Sequence, residues 1–193
     1  MPARTGLLGL GCNIPLPRTG THRHRRWMRG RCGDRRAQLQ AAVDALPATG
    51  VVVRACSSTY DTDPVGEVLD QPSFLNACLL VSTTLEPLQL LDAVKRLERE
   101  LGRSGDSVRH GPRSIDIDIL LLGELELKHE RMKLPHPQLL TRRFVLIPAL
   151  ELDFELRAPA GERGVTRLAD ALAALAPDEG VRWAGPPLAL PRD

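Results

Sequence analysis

Residues 115–122 read Ile-Asp-Ile-Asp-Ile-Leu-Leu-Leu. Alternate residues of a β-strand face opposite sides, so Ile115, Ile117 and Ile119 share one face and Asp116 and Asp118 the other. The apolar continuation through Leu120, Leu121 and Leu122 predicts a strand that is central in its sheet and buried. Two acids on such a strand are costly to bury without counter-charge. They sit roughly 6.5–7 Å apart along the strand, a spacing that suits a pair of divalent cations about 3.5–4 Å apart. The plainer alternative is an edge strand with solvated acids.

Counter-charge is at hand. Arg103, Arg109 and Arg113 precede the strand, and Arg131, Arg142 and Arg143 follow it. Carboxylate oxygens favour Mg²⁺ or Mn²⁺ over zinc, and arginine forks match phosphate oxygens. Together these point to polyphosphate chemistry, in which metal ions and cations are aimed at the oxygens where charge develops. No Walker A or kinase-type glycine loop is present, which disfavours those folds.

The 193 residues carry a net charge of only +2, against a general nucleic-acid coat protein. That charge is uneven. Residues 15–32 (PLPRTGTHRHRRWMRGRC) hold six arginines and no acid, which leaves about −4 elsewhere. The segment has no helical or strand period and reads as a basic loop insertion. Its bland reading is a solvated insertion. The sharper one is an anion or nucleic-acid contact using Trp27. Zinc on Cys12, His22, His24 and Cys32 matches no usual knuckle. No apolar run approaches the roughly 20 residues of a membrane span. Four cysteines without a CxxC pair suggest a reduced, cytoplasmic setting, with Cys56 and Cys78 as small core residues.

The periodicities give an element order. Residues 5–11 read as a buried strand, and 34–46 as a helix capped by Asp34, with Pro47 after its last turn. Residues 51–60 read as a strand, 61–72 as a loop and 74–84 as a strand. The strongest helix spans 87–101, with Leu90, Val94, Leu97 and Leu101 as its stripe and Gly102 at its end. A Gly/Ser/Arg loop over 104–112 leads to the 115–122 strand. This order predicts an α+β fold: a ferredoxin-like βαββαβ core with a mostly antiparallel sheet and helices on one face. A C-terminal extension follows, with a helix near 168–175 and a Pro-rich tail over 178–193 that should fray. The whole reads as one domain over 1–193.

Several segments resemble the 6-hydroxymethyl-7,8-dihydropterin pyrophosphokinase family of folate biosynthesis. They are LGLGCN near the start, TDPVG at 62–66, QPSFLNA at 71–77, LERELGR at 97–103, RHGPRSIDIDILLLG at 109–123 and LPHPQLLTRRFVLIPALEL at 134–152. The resemblance implies transfer of the pyrophosphoryl group of ATP to the pterin hydroxymethyl, releasing AMP, with two Mg²⁺. It implies that Asp116 and Asp118 bind metal and that Arg103 and Arg113 act on the triphosphate. Glu98, Arg113, Ile119, Arg131, His136 and Arg142 would contact ATP. Phe74 and Phe144 would sandwich the pterin, with Thr62, Val65 and Asn76 reading its polar edge. The expected partners are these two small molecules, with no membrane, nucleic acid disfavoured, and a monomer as the expected state.

Other readings stand beside these. Phe74 and Phe144 are also plausible core residues, Glu98 a helical partner for a basic residue, His136 a structural group between prolines, and Asn76 a partner for a neighbouring backbone group. The chain departs from the family pattern at His110, where Trp is usual, and at Gly105, where a second arginine is often found. Two alternatives follow: a catalytically weakened relative that still binds ATP or pterin, and a ferredoxin-like RNA-binding module with a basic arm. The second lacks the exposed strand aromatics such readers use.

Overall fold

The computed structural model describes residues 2–14, 34–64, 70–103, 113–161, 164–177 and 180–191. The basic segment 15–32, Val65, Gly105 and His110 lie outside them. The chain opens with strand β1 (Arg4–Cys12). Helix α1 (Arg35–Ala45) begins where Asp34 accepts a hydrogen bond from the Arg36 N–H, the expected cap. It tightens into a short 3₁₀ turn (Leu46–Thr49) that carries Pro47. Strands β2 (Val51–Cys56), β3 (Thr59–Thr62) and β4 (Phe74–Thr83) follow. Helix α2 (Pro87–Glu100) has proline in its first turn and the expected apolar stripe. Gly102 follows it with φ 91°, a conformation that favours glycine. The acid-bearing strand is β5 (Asp116–Leu122).

Beyond β5 come a small hairpin, β6 (Leu127–Lys128) and β7 (Lys133–Leu134), then helix α3 (Arg143–Leu152). Strands β8 (Arg157–Pro159) and β9 (Val165–Arg167) form a second hairpin. Helix α4 (Leu168–Ala174) and strand β10 (Val181–Gly185) complete the described elements.

The main sheet runs β10-β3-β4-β1-β5, with β2 also paired to β4, and every pairing among these strands is antiparallel. Leu8, Leu10, Ala77, Leu79, Val81, Ile117 and Ile119 join Leu39, Val43, Leu90, Val94 and Leu97 in one apolar core, so α1 and α2 share a face. Leu7, Cys78 and Leu120 pack with Leu139, Leu146, Ala149 and Leu168. Helices α3 and α4 therefore cover part of the opposite face.

Three expectations need correction. First, β5 is not central: it ends the sheet. It is nonetheless buried, because other parts of the chain close its free edge. The Ile117 N–H donates to Glu98 Oε1 at 2.7 Å, the Ile117 carbonyl accepts from Lys95 Nζ at 3.3 Å, and the Leu120 carbonyl accepts from the His136 N–H at 2.9 Å. Second, the 51–60 segment is broken into β2 and β3. The Ser57 hydroxyl fills the gap by accepting the Cys78 N–H at 2.8 Å, while the Ser57 N–H donates to the Cys78 carbonyl. Third, the tail does not fray over its described part. β10 pairs with β3, Leu188 is 3% exposed, and the Pro186 and Pro187 carbonyls accept from the Arg36 guanidinium at 2.8 and 2.9 Å. Proline cannot donate to a ladder, but its carbonyl accepts freely. Cys78 is a buried core thiol as expected, whereas Cys56 is only half-buried.

Candidate active site

On the face opposite α1 and α2, strand register lines up the site. Asp116 lies across from Gly11, which lies across from Asn76, and Asp118 lies across from Gly9. The two glycines leave the middle strand without side chains between the acids and Asn76. A Cβ on Gly11 would come within 2.9 Å of Asn76 Oδ1, so the carboxamide occupies space only glycine leaves.

A hollow opens over this floor. Its lining includes Thr62, Phe74, Asn76, Arg113, Asp116, Asp118, Arg142 and Phe144. Asn76 Nδ2 donates to Thr62 Oγ1 at 2.6 Å, which fixes the amide orientation. The Arg142 guanidinium stands 5.3 Å from the Phe144 ring centre, within cation–π range. Both belong to the start of α3. Arg143 turns away, towards the Leu172, Leu175 and Ala176 carbonyls behind α4. Of the two adjacent arginines, only Arg142 serves the hollow.

A second hollow lies along the free edge of β5. It is lined by Lys95, Asp118, Ile119, Arg131, His136 and other residues of 129–137. Arg131 is ion-paired to Asp92 there. Burial, and then Arg142, hold the His136 imidazole below its usual value. Asp118 belongs to the lining of both hollows.

The two acids live in different surroundings. Asp116 accepts from Arg103 Nη1 at 2.7 Å, is ion-paired to Arg113, and has Lys95 Nζ at 3.8 Å. Burial pushes its carboxyl up, but Lys95, Arg113 and Arg103 together outweigh that and hold it below the ordinary range. Asp118 has no hydrogen bond or ion pair to any described residue. Burial, reinforced by Asp116, pushes its carboxyl above the ordinary range. A half-buried carboxylate left without a partner beside a second acid fits a hard divalent cation. No group of three or more His, Cys, Asp or Glu side chains placed to hold one metal ion occurs among the described residues. An ion on these two acids would complete its shell with water and phosphate oxygens, as Mg²⁺ commonly does.

Glu98 stands behind the acids, 1% exposed. Its carboxylate accepts from Ile117 N–H, Lys95 and Arg103. Burial raises it above the ordinary range despite Lys95. Its bonds are made within the protein, and it holds Lys95 and Arg103 beside Asp116.

Two contributors escaped the sequence reading. Lys95 bridges Glu98, Asp116 and the Ile117 carbonyl. Its signal was the i,i+3 spacing to Glu98 on α2. Asn13, also 1% exposed, accepts the Arg113 N–H at 2.7 Å and donates to Gln71 Oε1 at 2.9 Å and the Pro72 carbonyl at 3.2 Å. It ties the start of the acid strand to the segment entering Phe74. No local spacing announces it, because its partners lie 58 to 100 residues away.

Residues 7–154 match the family model for 7,8-dihydro-6-hydroxymethylpterin-pyrophosphokinase. The chain belongs to this family. Relatives named 2-amino-4-hydroxy-6-hydroxymethyldihydropteridine pyrophosphokinase include one from Pseudomonas aeruginosa, 46% identical over 149 residues, covering 76% of this chain and 86% of the relative. One from Methylorubrum extorquens is 41% identical over 171 residues, covering 88% and 92%. One from Bacillus subtilis is 43% identical over 121 residues, covering 62% and 71%. The pyrophosphokinase match spans both hollows and both acids, from β1 through α3.

Proposed function

We propose that this protein transfers the pyrophosphoryl group of ATP to the hydroxymethyl group of 6-hydroxymethyl-7,8-dihydropterin, giving the pterin diphosphate and AMP, a step in folate biosynthesis. The observation that carries the proposal is the pair of hollows meeting at Asp118. One has flanking aromatic rings and a fixed carboxamide, which suit a flat heterocycle with an amide-like edge. The other lies along the β5 edge among basic groups, which suit a nucleotide. Phosphoryl groups passing between them would cross the acids.

In this reading Phe74 and Phe144 hold the pterin, and Thr62 and Asn76, with Val65, read its polar edge. Arg131, His136 and the Ile119 segment hold ATP, with Glu98 and Lys95 behind it. Arg103, Arg113 and Arg142 orient phosphate oxygens. Two Mg²⁺ on Asp116 and Asp118 would neutralise charge developing on the transferred group. The fold is then a ferredoxin-like βαββαβ core, supported by the sheet order around β5-β1-β4, with a C-terminal extension. We take residues 1–193 as one catalytic domain, acting in the cytoplasm as a monomer. No helix among the described residues is long and apolar enough to cross a membrane.

The test is AMP formation from Mg·ATP and the pterin. Wild-type protein should turn over, and Asp116→Ala and Asp118→Ala should each lose at least about 10³-fold in rate. Near-normal rates in either variant would remove the metal assignment, and an inactive wild type would remove the activity.

A further inference from the structure

The hollow proposed to hold the pterin has a brace behind its wall. Thr62 and Phe74 are cross-strand partners at the ends of β3 and β4, and Tyr60 and Asn76 are the next such pair. Between them Asp61 and Leu75 point to the other face, where Leu75 joins the core under α1. Arg35, the first residue of α1, reaches this back side. Its Nη1 donates to the Ser73 carbonyl at 2.8 Å and approaches Ser73 Oγ at 3.3 Å. Asp61 Oδ1 lies 2.7 Å from the same nitrogen. That oxygen is buried and has no aligned hydrogen bond, so the ion pair is its compensation. Both side chains are about one-third exposed or less.

Resting on the functional reading above, we propose that Arg35 is a positioning residue for the acceptor substrate. Through Ser73 and Asp61 it grips the residues immediately before Phe74 and Thr62, one on each strand of the wall. This pins the two strand ends to α1 and to each other. Phe74, Thr62 and the Asn76 amide that bonds to Thr62 are thereby held in register for the heterocycle. Among the described residues no hydrogen bond or ion pair joins Arg35 to β5 or to the lining of the second hollow, so the nucleotide hollow should not depend on it. One terminal nitrogen, Nη1, makes the contacts to both strands, so a lysine ammonium that reaches the same point would replace part of the grip.

The experiment is steady-state kinetics on Arg35→Ala, Arg35→Lys and Asp61→Asn, with pterin binding followed separately by fluorescence titration. Arg35→Ala should raise the pterin KM and Kd about tenfold while the ATP KM and kcat stay within twofold. Arg35→Lys should recover part of the loss, and Asp61→Asn, which keeps the shape, should shift pterin binding the same way. A role in stability alone predicts a lower melting temperature with no selective change in pterin affinity, and that result overturns the proposal. So does an Arg35→Ala protein whose pterin KM is unchanged or whose ATP KM rises equally. A wild type that neither binds pterin nor forms AMP refutes the functional reading itself, and the inference falls with it. A competent wild type with indifferent variants refutes the inference alone.

Discussion

Asp116 and Asp118 are chemically identical and two positions apart, yet they carry opposite burdens. Asp116 is surrounded by Lys95, Arg103 and Arg113, whereas Asp118 makes no hydrogen bond or ion pair to a described residue, and burial and Asp116 outweigh the more distant Lys95, Arg113 and Arg142. A carboxyl raised above its unfolded value costs stability at pH values above its folded pKa, and the cost fades as pH falls through that value. Without divalent metal, Asp118→Asn should therefore melt higher than wild type at pH 7.5, with the gap closing towards pH 4. A variant that melts lower at pH 7.5 would contradict the direction of the Asp118 shift. Adding Mg²⁺ should stabilise wild type and not Asp118→Asn. The acid pair was legible in the sequence because strand alternation alone puts both acids on one side. Their inequality was not, since it comes from Lys95, Arg113 and Arg103 all converging on Asp116, which strand alternation does not specify.

At the level of elements, periodicity located α1, α2, β1, β4 and β5 because each has a face that must be apolar. It misjudged where β5 sits. Apolar content reports that a strand is covered, and coverage here comes from α2 side chains and the His136 segment rather than from another strand. The break between β2 and β3 was equally hidden, because Ser57 replaces a backbone acceptor with its hydroxyl and the β-rich pattern runs on. Ser57 is fully buried, so Ser57→Ala should leave the Cys78 N–H unpaired and cost about 1–3 kcal/mol. Urea unfolding would measure this, and a loss under 0.5 kcal/mol, roughly the bottom of the range for a hydrogen bond, would show that another acceptor takes over. Helix α3 escaped notice as a helix because Pro148 falls inside it, and proline argues against a helix interior on sequence grounds.

For the molecule as a whole, the sheet is a partition. Its α1–α2 face is the larger core, and its other face is shared between α3, α4 and the hollow that holds Phe74, Asn76 and Phe144. The Pro-rich tail belongs to this architecture. Leu188 enters the larger core, its N–H donates to the Ser57 carbonyl, and Gln40 accepts the Ala189 N–H and donates to its carbonyl. Leu188→Ala should cost about 2–5 kcal/mol by chemical denaturation, with AMP formation preserved in the folded fraction. A cost near zero would mean the tail is dispensable. The tail's fate could not be read from composition, since Gly and Pro predict fraying only where no donor such as Arg36 is waiting for their carbonyls.

The closed margin of β5 has a consequence for solution behaviour. An unpaired strand at the rim of a sheet is an invitation for a neighbouring molecule to add its own. Here Glu98, Lys95 and the His136 amide occupy the outward groups of Ile117 and Leu120 from within. The stopper that steadies the acids also denies one copy of this protein a template on which to zip a second, guarding that rim against aggregation.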